Sequence, residues 1–365
     1  MPAREAAPLQ ESAMNAPMTL NTANPTESRS HLALPTPADL RRELPVEPPL
    51  AERIATQRQA IRDILEGRDD RLLVVVGPCS IHDPDAALAY AEHLVALNRR
   101  VEDRLLLVMR VYVEKPRTTV GWKGLAYDPH LDGSDDMAGG LAISRRLMRD
   151  IAALGLPVAT ELLQPMAAAY FDDLIAWAAI GARTTESQIH RELASGLEAA
   201  VGFKNATDGG IGVAIDAMRS AAHAHRHFAM DAHGGPVMRE TAGNPYTHLV
   251  LRGGHDGPNY AADSVAASRR ALEDAGLPAR MLVDCSHANS SKDHRRQPEV
   301  LRDVLAQRLA GESGLIGVML EGHLAEGKQP LVSGALRYGV SITDACLGWE
   351  DTAALLEEAA RQLSG

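Results

Sequence analysis

Cysteine is scarce in this chain: Cys79, Cys285 and Cys346 are the three in 365 residues. An odd and sparse set argues against a disulfide framework and for a reducing compartment. Long apolar runs are missing too, because Arg, Lys, Asp or Glu interrupts every stretch that could span a bilayer. The N-terminus has no continuous apolar core after a basic start, so no secretory signal is expected. Glu5, Glu11 and Glu27 sit badly in an Arg-rich organelle presequence. These absences leave the cytoplasm as the expected location and no membrane as a partner. Positive charge is also in deficit, with 37 Lys and Arg against 48 Asp and Glu and a net charge of -11. Binding a nucleic-acid backbone needs a basic face, so nucleic acid is not an expected partner.

What is present is the composition of a soluble globular protein, 45% hydrophobic and 23% charged. Residues 1–34, rich in Ala, Pro, Ser, Thr and Asn, read as a disordered or loosely ordered extension. Residues 35–70 read as a helical arm. Thr36-Pro37-Ala38-Asp39 has the form of a helix start, and Ala51 to Glu66 carries Ile54, Ile61, Ile64 and Leu65 at roughly helical spacing.

From residue 71 to 365 short β-prone runs alternate with Ala/Leu-rich amphipathic segments. The runs are Leu72–Val76, Leu105–Val111, Pro157–Ala159, Ala179–Ala182, Ala200–Phe203, His248–Leu251, Met281–Val283 and Leu315–Leu320. The segments between most of them include Asp85–Leu97, Leu141–Leu154, Ala167–Ala178, Ile211–Ala224, Ala262–Ala275 and Pro298–Leu309, with Trp349–Leu363 closing the chain. Eight such units predict an α/β fold, a (β/α)8 TIM barrel with an N-terminal arm. Residues 227–246 interrupt the pattern. His227–Ala232 and Val237–Thr241, joined through His233-Gly234-Gly235-Pro236, read as an inserted β-hairpin that suggests assembly or regulation.

In such a barrel the active site lies at the C-terminal strand ends. Those ends read Cys79, Arg110, Glu161, Arg183, Lys204, Arg252, His287 and Glu321, with no aliphatic residue among them. Each alone could be a solvated or paired surface group; polar groups converging on one pocket need something to satisfy them. Pro116 bars the second strand from continuing and turns Lys115-Pro-Arg-Thr-Thr119 out as a donor-rich loop suited to phosphate oxygens. Arg110, Lys115, Arg117, Arg183, Lys204 and Arg252 exceed what one phosphate requires, which predicts two anionic ligands, or a phosphate and a carboxylate. Cys79, His287 and Glu321, with Asp344 in the last loop, form a mixed sulfur, nitrogen and oxygen set. It suits one divalent metal (Mn, Fe, Co or Zn) and is too soft for a dedicated Mg site. Cys285 lies two residues before His287, which on a strand places both on the same face; it could be a redox partner for Cys79, although a buried core thiol is the commoner state.

Gly77-Pro-Cys-Ser-Ile-His-Asp83, Glu114-Lys-Pro-Arg-Thr-Thr-Val-Gly-Trp-Lys-Gly124, Asp128-Pro-His-Leu-Asp-Gly133, Gly181-Ala-Arg-Thr-Thr-Glu-Ser187, Asp284-Cys-Ser-His-Ala-Asn-Ser-Ser291 and Ser341-Ile-Thr-Asp-Ala-Cys-Leu-Gly-Trp-Glu-Asp351 together resemble the type I 3-deoxy-D-arabino-heptulosonate 7-phosphate (DAHP) synthases. The resemblance runs from about Pro35 to the C-terminus. It implies condensation of phosphoenolpyruvate with erythrose 4-phosphate on a divalent metal, the first step of the shikimate pathway. It further implies that Arg110, Lys115, Arg183, Lys204 and Arg252 hold phosphoenolpyruvate, that Arg117 and Thr118 hold the aldose phosphate, and that Cys79, His287, Glu321 and Asp344 are the metal ligands. Lys115 is the candidate proton donor, with His287 as its rival. None of these positions is substituted, which argues against a silent descendant.

The family binds an inhibitory aromatic amino acid near the hairpin, so such an effector is expected here. The hairpin stretch His227-Phe-Ala-Met-Asp-Ala232 and Glu198 differ from the phenylalanine-sensitive pattern, while Gly243-Asn-Pro-Tyr246 is similar to a tryptophan-sensitive form. A homo-oligomer, dimer or tetramer, is also expected.

Overall fold

Short apolar strands, buried on both faces, build the centre of the molecule. The computed structural model describes residues 32–332 and 334–365; the extension expected over 1–34 therefore lies almost wholly outside them. The elements run α1 (Pro37–Glu43), α2 (Pro48–Glu66), β1 (Leu72–Gly77), α3 (Pro84–Val101), β2 (Leu105–Arg110), α4 (Met137–Ala153), β3 (Val158–Glu161), α5 (Pro165–Ala168), β4 (Trp177–Ile180) and α6 (Gln188–Ser195). They continue with β5 (Ala200–Lys204), α7 (Gly212–Ala221), β6 (His225–Met230), β7 (Pro236–Thr241), β8 (Thr247–Leu251), α8 (Ala262–Asp274), β9 (Met281–Asp284), α9 (Gln297–Leu309), β10 (Leu315–Glu321) and α10 (Trp349–Leu363). Eight strands close into a parallel barrel in the order β1-β10-β9-β8-β5-β4-β3-β2.

The two faces of each strand separate cleanly. Leu72, Val74 and Val76 pack outward with Leu94, Leu147, Val300 and Leu356 of the helices, while Leu73 and Val75 pack inward with Val108, Trp177, Val250, Leu282 and Met319. That period of two is the geometry of a pleated strand. Ile61, Ile64 and Leu65 of α2 join the inward cluster, so the arm plugs the barrel and leaves only the opposite mouth for ligands. Gly67 ends α2 at φ 75, the left-handed cap that glycine adopts without strain. The start of α1 is a capping box: Asp39 N–H donates to Thr36 Oγ1 at 3.1 Å, and Thr36 N–H to Asp39 Oδ2 at 3.0 Å.

Trp177 fits inside the barrel because Gly202 faces it. A Cβ at Gly202 would lie 2.5 Å from the indole and 2.6 Å from Val250. The indole N–H donates to His248 Nε2 at 3.1 Å.

The structure corrects the sequence reading in one unit. Ala167–Ala178 was expected as a helix, but α5 is a single turn and β4 begins at Trp177, two residues before the expected strand. Alanine-rich sequence carries little local preference for strand, so the ladders from Trp177 to Ala159 and Ala200 decide the outcome. A helix the pattern did not suggest, α6, follows.

The hairpin pairs β6 with β7 antiparallel from His225↔Thr241 to Met230↔Pro236. Its turn is held by Asp231, whose carboxylate accepts from His233 and Gly235 N–H at 2.8 Å each. Ala38 N–H donates to Ala232 O at 2.7 Å and ties the tip to α1. Among the described residues no helix is long and apolar enough to cross a membrane.

Candidate active site

Parallel strands deliver their last residues to one rim, and here that rim surrounds a cavity of about 360 Å³. Of the residues singled out from sequence, Lys115, Arg117, Thr118, Glu161, Arg183, Lys204, Arg252, His287 and Asp344 line it. Lys292 and Lys328 line it as well. These two sit in loops where no periodicity marks a residue as inward, so sequence reasoning had no signal for them. Seven cationic side chains thus face two carboxylates, Glu161 and Asp344. That imbalance favours anionic ligands.

Arg110 does not line the cavity. It is 1% exposed, with its guanidinium 3.2 Å from Glu321 Oε1, donating to Pro78 O at 3.3 Å and stacked 4.0 Å over the Tyr112 ring. Its Nη1 is buried without a partner, an orphaned donor of the kind that an anion would satisfy.

The Lys115 Nζ lies 2.8 Å from Cys79 Sγ and 3.5 Å from Asp344 Oδ2. Ligand atoms of Cys79, Glu321 and Asp344 all lie within 4.8 Å of one another. Burial pushes the Cys79 thiol up to about 12, with Glu321 adding to the effect and Lys115 opposing it. Burial would raise Asp344, but Lys115 and His287 outweigh it and hold the carboxyl at about 2. Burial works against the charge on Lys115, and the neighbouring Cys79, Glu321 and Asp344 outweigh it, so its pKa is raised and it carries its proton at neutral pH. A sulfur and two carboxylates converging around an ammonium fit a divalent cation in chemistry and spacing.

His287 lies on the same cavity wall but outside that group of three. β9 ends at Asp284, so His287 is not a strand residue; its φ is 56 and its Nδ1 stands 2.9 Å from Asp284 Oδ2. Cys285 consequently does not share its face: the thiol is buried in the outer cluster, and all three cysteines are free. Asp284 is the residue that sequence reasoning passed over. It is fully buried, and its Oδ2 also accepts from Lys204 Nζ at 3.0 Å. Burial alone would raise its pKa; the charges of His287 and Lys204 outweigh it and hold it well below the usual carboxylate range.

The profile of the DAHP synthetase I family matches residues 49–357. The chain belongs to that family. Among relatives, the DAHP synthetase I chain described here is 52% identical over 334 residues to the Tyr-sensitive phospho-2-dehydro-3-deoxyheptonate aldolase of Salmonella typhimurium, covering 91% of this chain and 94% of that one. It is 54% identical over 325 residues to the Phe-sensitive protein of Escherichia coli, covering 89% and 93%. A solved structure of the phospho-2-dehydro-3-deoxyheptonate aldolase of Francisella tularensis superposes with a TM-score of 0.91 at 43% identity, over 93% of this chain and 99% of that one.

A second cavity, of about 480 Å³, lies between the inner face of the hairpin and the α5–α6 segment. Pro165, Met166, Ile189, Leu193 and Leu197 make it apolar, and Asp172, His227 and Arg239 add polar groups. Glu198, flagged by the sequence, is not among its walls; it pairs with Arg58 of α2. Asn244 of the Gly243-Asn-Pro-Tyr246 stretch donates to the carbonyls of Ala194, Leu197 and Ala199 at 3.0–3.2 Å, which is a structural role.

Proposed function

We propose that this chain joins phosphoenolpyruvate to D-erythrose 4-phosphate and water, giving DAHP and inorganic phosphate. The observation that carries the reading is the pairing of seven cations around one cavity with the Cys79, Glu321 and Asp344 cluster beside Lys115. Two phosphorylated substrates account for more cations than one phosphate would need.

In this reading Arg183, Lys204 and Arg252, with Lys115 and the buried Arg110, hold the phosphate and carboxylate of phosphoenolpyruvate. Arg117 and Thr118, on the loop turned out by Pro116, hold the aldose phosphate. Clamping both anions sets C3 of phosphoenolpyruvate against the aldehyde carbon, and holding two reactants in attack geometry removes much of the entropic barrier. The C3–C1 bond forms, positive character develops at C2, and Lys115 protonates the former aldehyde oxygen. Water adds at C2 and gives one proton back to Lys115; the C2–O bond to the phosphoryl group then breaks as the C2 hydroxyl becomes the ketone carbonyl, and its proton leaves with the phosphate. The surrounding guanidinium and ammonium groups stabilise the charge on the departing phosphate.

Cys79, Glu321 and Asp344, with His287 from the same wall, are the proposed ligands of one divalent metal of the Mn, Fe, Co or Zn type. When bound, the metal supplies Lewis acidity toward the aldehyde oxygen. The test is incubation with phosphoenolpyruvate and erythrose 4-phosphate, following enolpyruvate absorbance and phosphate release, with and without a chelator. No phosphate release from the metal-supplemented protein would overturn the proposal.

The hairpin cavity is the proposed site of an inhibitory aromatic amino acid, a reading supported by its apolar walls and by relatives named for tyrosine and phenylalanine sensitivity. A cytoplasmic location and a homo-oligomeric state complete the proposal. Phe228 and Met238, 99% and 66% exposed and paired across the hairpin, offer apolar surface that a second copy would cover.

A further inference from the structure

Identity does not choose the effector, since the tyrosine-sensitive and phenylalanine-sensitive relatives are 52% and 54% identical to this chain. The hairpin cavity itself carries a discriminating group. His227 is on the inner face of β6, in the cavity wall. Its Nδ1 lies 3.1 Å from Phe228 O. A carbonyl oxygen only accepts, so Nδ1 bears the hydrogen and Nε2 is the ring's acceptor position. That Nε2 is buried and has no hydrogen-bond partner. A buried acceptor left unpaired is costly, and a ligand that supplies a donor removes the cost.

We infer that His227 selects an effector whose aromatic ring system carries an N–H or O–H donor, a phenol or an indole, over the bare phenyl ring of phenylalanine. The inference rests on the proposed reading of this cavity as the effector site. The remaining walls, such as Met166, Ile189 and Leu193, offer apolar contact to any of the three rings and do not distinguish them. Discrimination by a site built to hydrogen-bond a ring substituent is strong, because the analogue lacking the substituent leaves the site's own polar group unpaired.

The experiment is steady-state inhibition and calorimetric binding with phenylalanine, tyrosine and tryptophan on the full chain. It is repeated on His227→Phe, which removes the acceptor, and on His227→Gln, whose amide oxygen replaces it. In the wild type, tyrosine or tryptophan is expected to bind and inhibit at concentrations at least tenfold below phenylalanine, and the two arms distinguish phenol from indole. His227→Phe should bring the ratio to near one and His227→Gln should keep the preference, with uninhibited turnover unchanged in both. Phenylalanine acting as well as the other two on the wild type would overturn the inference while leaving the effector site standing. A ratio unmoved by His227→Phe would do the same. Failure of all three amino acids to bind or inhibit would overturn the effector-site reading and the inference together.

Discussion

Asp284→Asn is the substitution that most directly probes how the cavity is charged. Asp284 is fully buried, and its Oδ2 faces both Lys204 Nζ at 3.0 Å and His287 Nδ1 at 2.9 Å. An asparagine can still accept from Ser286 N–H through Oδ1, as Asp284 does at 3.0 Å. Its amide nitrogen, however, would point donors at the donors of Lys204, which is itself only 3% exposed. Removing one partner of a buried ion pair costs roughly 3–5 kcal/mol. The protein has one escape, which is to fold with the lysine neutral. For an ordinary lysine that costs about 1.4 kcal/mol for each of the roughly 3.4 units between pH 7 and its free pKa, hence about 4.6 kcal/mol.

The deficit is therefore capped near 5 kcal/mol at neutral pH, and the cap falls by about 1.4 kcal/mol per pH unit to about 2 kcal/mol at pH 9. The sign follows from proton counts: the variant binds one proton fewer folded than unfolded, so its stability rises with pH relative to the wild type. Urea unfolding of both proteins at pH 7 and pH 9 measures this, and phosphoenolpyruvate titration should show weaker binding at pH 7. A deficit under 1 kcal/mol at pH 7, or one that grows at pH 9, would refute the reasoning.

Further outcomes follow from other contacts. Cys79→Ala should abolish turnover and Mn binding by calorimetry, whereas Cys285→Ala, altering a buried thiol of the outer core, should leave both largely intact; full activity in the first would remove Cys79 from the ligand set. Burial holds His248 neutral, its pKa lowered to about 3, so below pH 6.5 the unfolded chain takes up a proton that the fold refuses. Stability should fall by about 2 kcal/mol between pH 7.5 and 5.0 from this group, and His248→Gln, which keeps an acceptor for Trp177, should remove that part of the slope in paired urea titrations. Gly202→Ala should lower stability by about 1–3 kcal/mol through overpacking against Trp177 and Val250, measured as a drop in thermal midpoint; an unchanged midpoint would mean that the barrel interior yields more readily than its packing implies.

What the sequence determined by itself was local and periodic. The uninterrupted apolar run Leu72–Val76, the capping signature at Thr36 and the spacing of Ile54, Ile61 and Ile64 depend on neighbours along the chain, so they could be read before any contact was known. Strand and helix alternating eight times then implied the barrel, and the barrel implied which residues share a rim. Tertiary structure decided the rest. Trp177–Ile180 is strand because of its partners in β3 and β5, and alanine-rich sequence could not announce that. Asp284 neutralises Lys204 from 80 residues away, and Lys115 meets Cys79 from 36 residues away. The same holds for Arg110, which reads as a rim cation and is buried against Glu321 with Nη1 left unpaired for a ligand. Whether a charge faces a ligand or a buried partner depends on distances of about 3 Å between strands that the chain order does not encode locally, and only closing the barrel sets them.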